Sequence, residues 1–431
     1  MSALSRGNSR LRLLLGQAGL SGSELARAVN RLGLENGLEL HYQRASVGQW
    51  LAGTRPRRPV PELIAEALSR RLGRRVTVEE AGLTPPGPAG PRADGSESYR
   101  LAAVEELLGS GRRRGGAAVR EAERVGARHV RCLDRMTAHF SRTDHLVGSG
   151  HSVGALTGFF AVTVRGWLAA PASPAVQRGL AAAGARLAYL GGFLHVDQRR
   201  HGPAQQWYRL AVELAEEAGD PRTLSAAYRA LSVQAHQLGH RAQAARLAER
   251  AVVLGTGQDP SMLAFLYGQR ALTLAADGRR REVFRVMGQA ERHLDWATGP
   301  AAAGPAATVV GAYHPAALAH QRGELRYQLG DLPGAVTELA LSDRLRPAAE
   351  RRSRALVLAR TGELLLAAGA VDGACAAWQQ FVELGAGLAS RRLDHAYAGM
   401  RTALARHRGS DRTALLSALR SEDWPRSPEP L

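Results

Sequence analysis

The chain has 431 residues and a formal net charge of +18, with 45% hydrophobic and 22% charged residues. That length calls for two or three domains of ~100 to 200 residues, and ordinary apolar content without a dominant low-complexity block excludes a disordered chain. Two cysteines, Cys132 and Cys375, are too few for a disulfide scaffold and fit a reducing compartment.

No lysine occurs, so all 57 basic residues are arginine. High-GC coding inflates arginine, so the total says little about a partner and the distribution says more. Residues 1–83 hold 13 Arg against 7 Glu, a net of +6, which leaves +12 for the other 348 residues. A basic end of that kind is what a nucleic-acid binder presents. The N-terminal MSALSRGNSRLRLLLGQAG has too short an apolar run, broken by Gly16 and Gln17, for a secretory signal. The apolar stretch from Gly158 to Leu168 is interrupted by Arg165 and falls short of the ~20 residues a membrane span needs. The expectation is a cytoplasmic protein with no membrane partner.

Along the chain, Leu11, Leu14, Leu15 and Ala18 recur at helical spacing, followed by Leu25, Ala28, Val29 and Leu32, then Val47, Trp50 and Leu51, then Leu63, Ile64, Ala67 and Leu68. Four short amphipathic helices are expected. Ser21 with Glu24 and Thr77 with Glu80 both match the capping box, and Pro61 suits a first helical turn, so a fifth short helix is expected from Thr77. Residues 84–98, rich in Pro and Gly, read as a linker. Residues 99–183 read as a helical connecting region, 184–420 as a repeat region and 421–431 as a tail.

The repeats are helix, turn, helix. A small residue of the second helix falls at Ala204, Ala244, Ala335 and Ala374, with Val283 in a weaker copy, giving steps of 40, 39, 52 and 39 residues. The longest step contains the loop-like Thr298 to Tyr313. This pattern resembles tetratricopeptide repeats, whose period is ~34 residues. One helical hairpin cannot bury its apolar face alone, so neighbours stack, and small residues allow the close approach. The resulting surface suits a peptide or other protein segment, or serves only as a dimerisation scaffold; the sequence leaves both open.

The segment from Ser21 to Thr54, SGSELARAVNRLGLENGLELHYQRASVGQWLAGT, resembles the helix-turn-helix of the lambda-repressor-like (Xre-type) family over about the first 83 residues. ELARAV resembles its supporting helix and RASVGQWLAG its recognition helix, closed by Gly53. The resemblance implies that Val47 and Trp50 face the core, and that Gln43, Arg44, Ala45, Ser46 and Gln49 face a major groove. Arg suits guanine, Gln adenine, Ser either, and Ala a thymine methyl. Arg55, Arg57 and Arg58 follow where phosphates would run past the helix end. One departure is the turn of about nine residues between Gly33 and Gln43, where three or four are usual; within it Leu38, Leu40 and Tyr42 alternate with Glu39 and His41, as in a short extended segment.

Joined to the repeats, this domain resembles a class of actinobacterial regulators across the entire chain, carried further by Arg128 to Leu156 and Gly219 to Ala235. It is similar, less closely, to peptide-sensing regulators of Gram-positive quorum systems. The resemblance implies an all-α, homodimeric, sequence-specific binder of operator DNA with a peptide or small-molecule effector and no cofactor. The alternative is a tetratricopeptide adaptor that acts on a protein partner without specific DNA binding.

Other motifs carry less. GHSVG at Gly150 to Gly154 matches a nucleophile elbow, but its flanks are helical where the elbow needs a strand before Ser152; no enzyme is expected. His139, His145 and His151, with Asp144, match no zinc spacing, so no metal is expected, and Arg112 to Arg114 read as a solvated turn. No GxxxxGK[ST] phosphate loop occurs.

Overall fold

A computed structural model of the chain describes residues 7–36, 38–83, 98–109, 125–298, 307–308, 311–406 and 424. The chain divides into two compact units, Met1–Arg114 with Arg199–Gln206, and Gly115–Gln198 with Trp207–Leu431. The expected linker (84–98, described only at Ser98), Arg112 to Arg114 and the tail 421–431 apart from Trp424 lie outside the described residues.

In the first unit the local signals act as the sequence suggests. Helices α1 (Ser9–Ala18), α2 (Gly22–Glu35), α3 (Arg44–Leu51) and α4 (Val60–Leu72) follow one another, and α5 (Leu101–Gly109) packs on α4. Asn8 caps α1, its Oδ1 accepting from the Leu11 N–H at 3.0 Å, and Gly19 at φ 59° ends it. At α2 the capping box forms in both directions: the Glu24 N–H donates to Ser21 Oγ at 3.3 Å, and the Ser21 N–H donates to Glu24 Oε2 at 2.8 Å. Pro61 sits in the first turn of α4. The apolar faces meet in one core that includes Leu11, Leu25, Val29, Val47, Trp50, Leu63, Ile64 and Leu68, each such burial worth about 1.5 to 3 kcal/mol for a large aliphatic side chain.

The fifth helix expected from Thr77 does not propagate. The Glu80 N–H does donate to Thr77 Oγ1 at 3.0 Å, yet residues 78–82 are turns. Gly82 turns left-handed at φ 66°, and Asn8 Nδ2 donates to the carbonyls of Ala81 and Gly82 at 2.9 and 3.2 Å, so two acceptors are already taken from α1. The unit is pinned elsewhere by Arg70, which grips Glu35 with two bonds of 2.8 and 2.7 Å and Glu66 at 2.8 Å. Burial pushes the Glu66 carboxyl up, and the Arg70 charge opposes that rise.

The second unit opens with α6 (Ala127–Val147), a 3-10 turn at Ser149–His151, α7 (Val153–Phe159), a π turn at Phe160–Val164 and α8 (Arg165–Ala169). Paired helices follow: α9 (Pro174–Asp197) with the part of α10 (His201–Ala218) from Trp207 on, α11 (Pro221–Gln237) with α12 (Arg241–Leu254), α13 (Pro260–Ala276) with α14 (Arg280–Thr298), α15 (Pro315–Gln328) with α16 (Leu332–Leu345), and α17 (Arg351–Ala367) with α18 (Val371–Gly385). A last helix, α19 (Arg391–Leu404), packs on α17 and α18. Helices α9, α11, α13 and α15 pack in succession and form an inner layer, with α12, α14 and α16 as outer partners. The fold is all-helical and repeated, apart from a two-residue antiparallel ladder of β1 (Ala307–Thr308) and β2 (Gly311–Ala312). That ladder lies in the long step between the third and fourth hairpins.

The repeat alignment has a packing cause. Ala204, Ala244, Val283, Ala335 and Ala374 are all fully buried. Opposite them the inner helices are also small: a Cβ on Gly323 would come within 2.9 Å of Leu339, and one on Gly362 within 2.4 Å of Trp378, while the Ser232 hydroxyl donates to the Ala244 carbonyl at 2.8 Å. Gly239, Gly278, Gly330 and Gly369 close the inner helices at φ 74 to 85°, a left-handed turn that glycine enters without strain.

A buried polar cluster joins the start and the end of this unit. Arg352 on α17 donates to both oxygens of Asp144 on α6, at 2.5 and 2.7 Å, and lies 3.5 Å from Asp197 on α9. Asp197 in turn accepts from Ser149 at 2.5 Å and Ser390 at 2.9 Å. Residues about 200 positions apart in sequence thus share one desolvated network, satisfied on every side that a buried ion pair requires. From the tail, Trp424 stacks on Tyr397 at 4.6 Å and donates to Asp394 at 2.9 Å.

Candidate nucleic-acid interface

Helix α3 is short because Gln43 is extended on one side and Gly53, at φ 105°, turns away on the other. Val47 and Trp50 fill the core, as the resemblance implied, with Trp50 edge-on to Tyr42 at 5.1 Å. Burying those two leaves Gln43, Arg44, Ala45 and Gln49 exposed. Ser46 is half-buried, and its Oγ accepts from the Gln43 N–H at 3.4 Å, so it is partly engaged in capping its own helix. Gly48 shares the exposed side, with open space where a Cβ would stand.

The long turn before α3 is ordered by side-chain-to-backbone bonds. Asn30 on α2 clamps Tyr42 twice, donating to its carbonyl and accepting from its N–H, both at 2.9 Å. Leu38, Leu40 and Tyr42 pack against the core as an extended segment. Gly33 is needed for this path, since a Cβ there would meet Leu40 at 2.7 Å. Gly22 brings α2 and α3 together, with Val47 and the Arg44 stem 3.6 Å from where its Cβ would be.

Arg55, Arg57 and Arg58 are exposed on the irregular stretch after α3. Arg58 lies 3.4 Å from Glu62; among the described residues Arg44, Arg55 and Arg57 make no ion pair. The structure adds two residues that sequence reasoning passed over, Arg10 and Arg12. Arg10 on α1 and Arg55 line one cavity of about 280 Å³ together with Asn8, Thr54 and Trp50. The Arg10 guanidinium donates to the Glu79 carbonyl at 3.2 Å, and that of Arg12 reaches the Leu51 carbonyl at 3.5 Å. Only the density of arginine in the first 83 residues hinted at these two. Chemically, the arrangement offers fork-shaped donors and two amides on one exposed face, beside positive charge that no carboxylate among the described residues neutralises.

The remaining motifs find structural places. Ser152 follows the 3-10 turn after α6 and precedes α7, so a helix stands where a nucleophile elbow needs a strand. Asp144, beside the histidines, is held by Arg352. Among the described residues no group of His, Cys, Asp or Glu is arranged to hold a metal ion. One stretch among them, Ser149–Ala169, is long and apolar enough by composition to cross a membrane, at a mean hydropathy of 1.2.

Residues 11–84 match the family model described as the SP15 N-terminal domain. No curated protein matches the chain. Among solved structures, BtubC (BKLC) from P. vanneervenii is similar at 17% identity and a TM-score of 0.32, over 64% of this chain and 94% of its own.

Proposed function

We propose that the protein is a sequence-specific, homodimeric DNA-binding transcriptional regulator of the Xre type, in which the repeat unit provides dimerisation and receives an effector. The observation that carries this reading is the exposed α3 face of Gln43, Arg44, Ala45 and Gln49, flanked by Arg55 and Arg57, which have no carboxylate partner among the described residues. Free guanidinium and amide groups on a short helix are the chemistry of base readout, and the adjacent arginines suit phosphates. A helix-turn-helix of this size gains affinity from paired half-sites about one turn apart, hence the homodimer; a cytoplasmic location follows from a DNA target.

The test is retardation of the duplex upstream of the protein's own gene. The regulator reading expects a complex that random duplex displaces poorly and that weakens steeply with salt. Equal, indifferent behaviour toward all duplexes, together with stable capture of a protein ligand by the repeats, replaces it with the tetratricopeptide adaptor.

A further inference from the structure

We infer that the outward face of α14 is a docking surface for an acidic amphipathic helix of another protein, gripped by the rings of Phe284 and Trp296 and neutralised by Arg281, Arg285 and Arg292. The surface lies wholly within the second unit and does not depend on the regulator reading above.

Helix α14 is an outer helix that packs on α13. Val283, Val286, Met287, Ala290 and Leu294 form its inward side and are all buried. At about 100° per residue, Arg281, Phe284, Arg285, Gly288, Arg292 and Trp296 fall within one arc of about 120° on the opposite side, and all but the half-buried Gly288 are exposed. Phe284 is 64% and Trp296 71% exposed. A single exposed aliphatic side chain is ordinary, whereas two large rings on one helix face leave apolar area in water that a partner removes. Twelve residues apart, the rings stand about 18 Å from each other along the helix axis. Between them the face is low: a Cβ on Gly288 would stand 3.4 Å from Arg292 Nη1 and, among the described residues, near no other side chain. Another helix can therefore approach closely at the middle of the face.

Charge decides what that helix carries. Of the acids on α14, Glu282 is taken by Arg279 at 2.6 Å and Glu291 by Arg322 at 3.2 Å. Arg281, Arg285 and Arg292 make no ion pair among the described residues, and only the exposed Asp295 shares their face. Three cations against one anion call for carboxylates on the partner, and tryptophan with arginine is the composition that carries most binding energy at protein interfaces. A second copy of this chain fits badly, because a two-fold contact would set the three arginines against themselves. A phosphate backbone meets Asp295 between Arg292 and Trp296 and gives two rings 18 Å apart along the helix nothing apolar to cover. A lipid surface needs a segregated apolar face, and that of α14 is already buried. An acidic helix with apolar residues spaced to cover both rings satisfies the whole face, with one Lys or Arg for Asp295 beside the residue that covers Trp296.

The test selects a displayed library of random 20-residue peptides on the full-length protein and measures the affinity of the selected peptides, made synthetically, by fluorescence anisotropy. The expected peptides are rich in Asp and Glu between apolar or aromatic ends, and their binding weakens with salt. Phe284→Ala and Trp296→Ala should each raise Kd about tenfold or more, and Arg285→Gln about threefold. Val253→Ala and Arg241→Gln, exposed on α12, should leave it unchanged. All these side chains are exposed, so an unchanged thermal melt confirms that each variant folds. Failure to select any peptide overturns the inference, as do selected peptides without an excess of acid or with binding indifferent to Phe284→Ala and Trp296→Ala. Three further results also overturn it by giving the face another occupant: a dimer that dissociates on Trp296→Ala, or binding of single-stranded oligo-dT or of phosphatidylserine vesicles that is lost on that change. Peptide binding without retardation of any DNA would keep the surface and remove the regulator; the converse would do the reverse.

Discussion

The arginines around α3 and the paired arginines of the repeat unit are put to opposite uses. Around α3, Arg44, Arg55 and Arg57 stand exposed and, among the described residues, without an ion pair. In the repeat unit, Arg352 holds Asp144, Arg360 holds Glu324 at 3.0 Å, Arg322 holds Glu338 at 2.8 Å and Arg354 holds Asp343 at 2.9 Å. Coding bias sets how many arginines a chain carries but not which of them keep their charge free. Pairing, read from structure, separates the arginines that hold a fold together from those available to an outside anion.

The comparison breaks most visibly at Arg352. Arg352→Ala strands two buried carboxylates and should cost about 3 to 5 kcal/mol, read as a lower urea midpoint of the repeat unit. A loss below about 1 kcal/mol would mean that this pair is not structural.

Next is a pH effect at His320 on α15. Burial pulls its pKa from 6.5 to about 4, with Arg346, Arg392 and Arg360 adding to the fall and Glu324 opposing it. The unfolded chain therefore takes up a proton that the folded one refuses. Stability is whole above pH 6.5 and falls by about 2 to 3 kcal/mol as pH drops toward 4. His320→Gln should flatten that part of a urea-midpoint-against-pH curve; an unchanged slope would remove His320 as its cause.

On the other side of the comparison, Arg44→Ala should cost about 1 to 3 kcal/mol on operator DNA and relax choice at one base position, while Arg57→Ala should weaken all sequences alike and flatten the salt slope by about one unit. Equal losses of Arg44→Ala on specific and random duplex would deny Arg44 a reading role. The smallest effect is expected from Glu62→Gln, which frees Arg58 from a surface pair worth less than about 1 kcal/mol; DNA binding measured at low salt should tighten slightly, and a weaker complex would exclude Arg58 as a phosphate contact.

What the sequence made legible is what local chemistry controls. The Ser21–Glu24 box, Pro61 in the first turn of α4, and the buried series from Ala204 to Ala374 depend on neighbours a few residues away or on a period. The Thr77–Glu80 box had the same signature and made only a turn: Gly82 goes left-handed, Pro85 and Pro86 have no N–H to give the Ala81 and Gly82 carbonyls, and Asn8, some 70 residues earlier, bonds those carbonyls instead. Partnerships across long separations left no local trace. Asp144 drew attention as a neighbour of histidines, yet its partner is Arg352, and nothing in either segment marks the other. Arg10 likewise joins Arg55 only because α1 packs beside the end of α3. The exposed face of α3 was legible as far as Val47 and Trp50 identify its buried side; the half-burial of Ser46 was not, since it comes from a cap bond to Gln43.

The central claim is that the unpaired arginines of the first unit read DNA. It is tested most directly by gel retardation of the duplex upstream of the protein's own gene, titrated with random competitor and repeated across a salt series. The account predicts a complex that resists random competitor by about a thousandfold or more and whose logarithmic salt slope reports several phosphate contacts. A protein that shifts no duplex, or shifts every duplex equally, would contradict it.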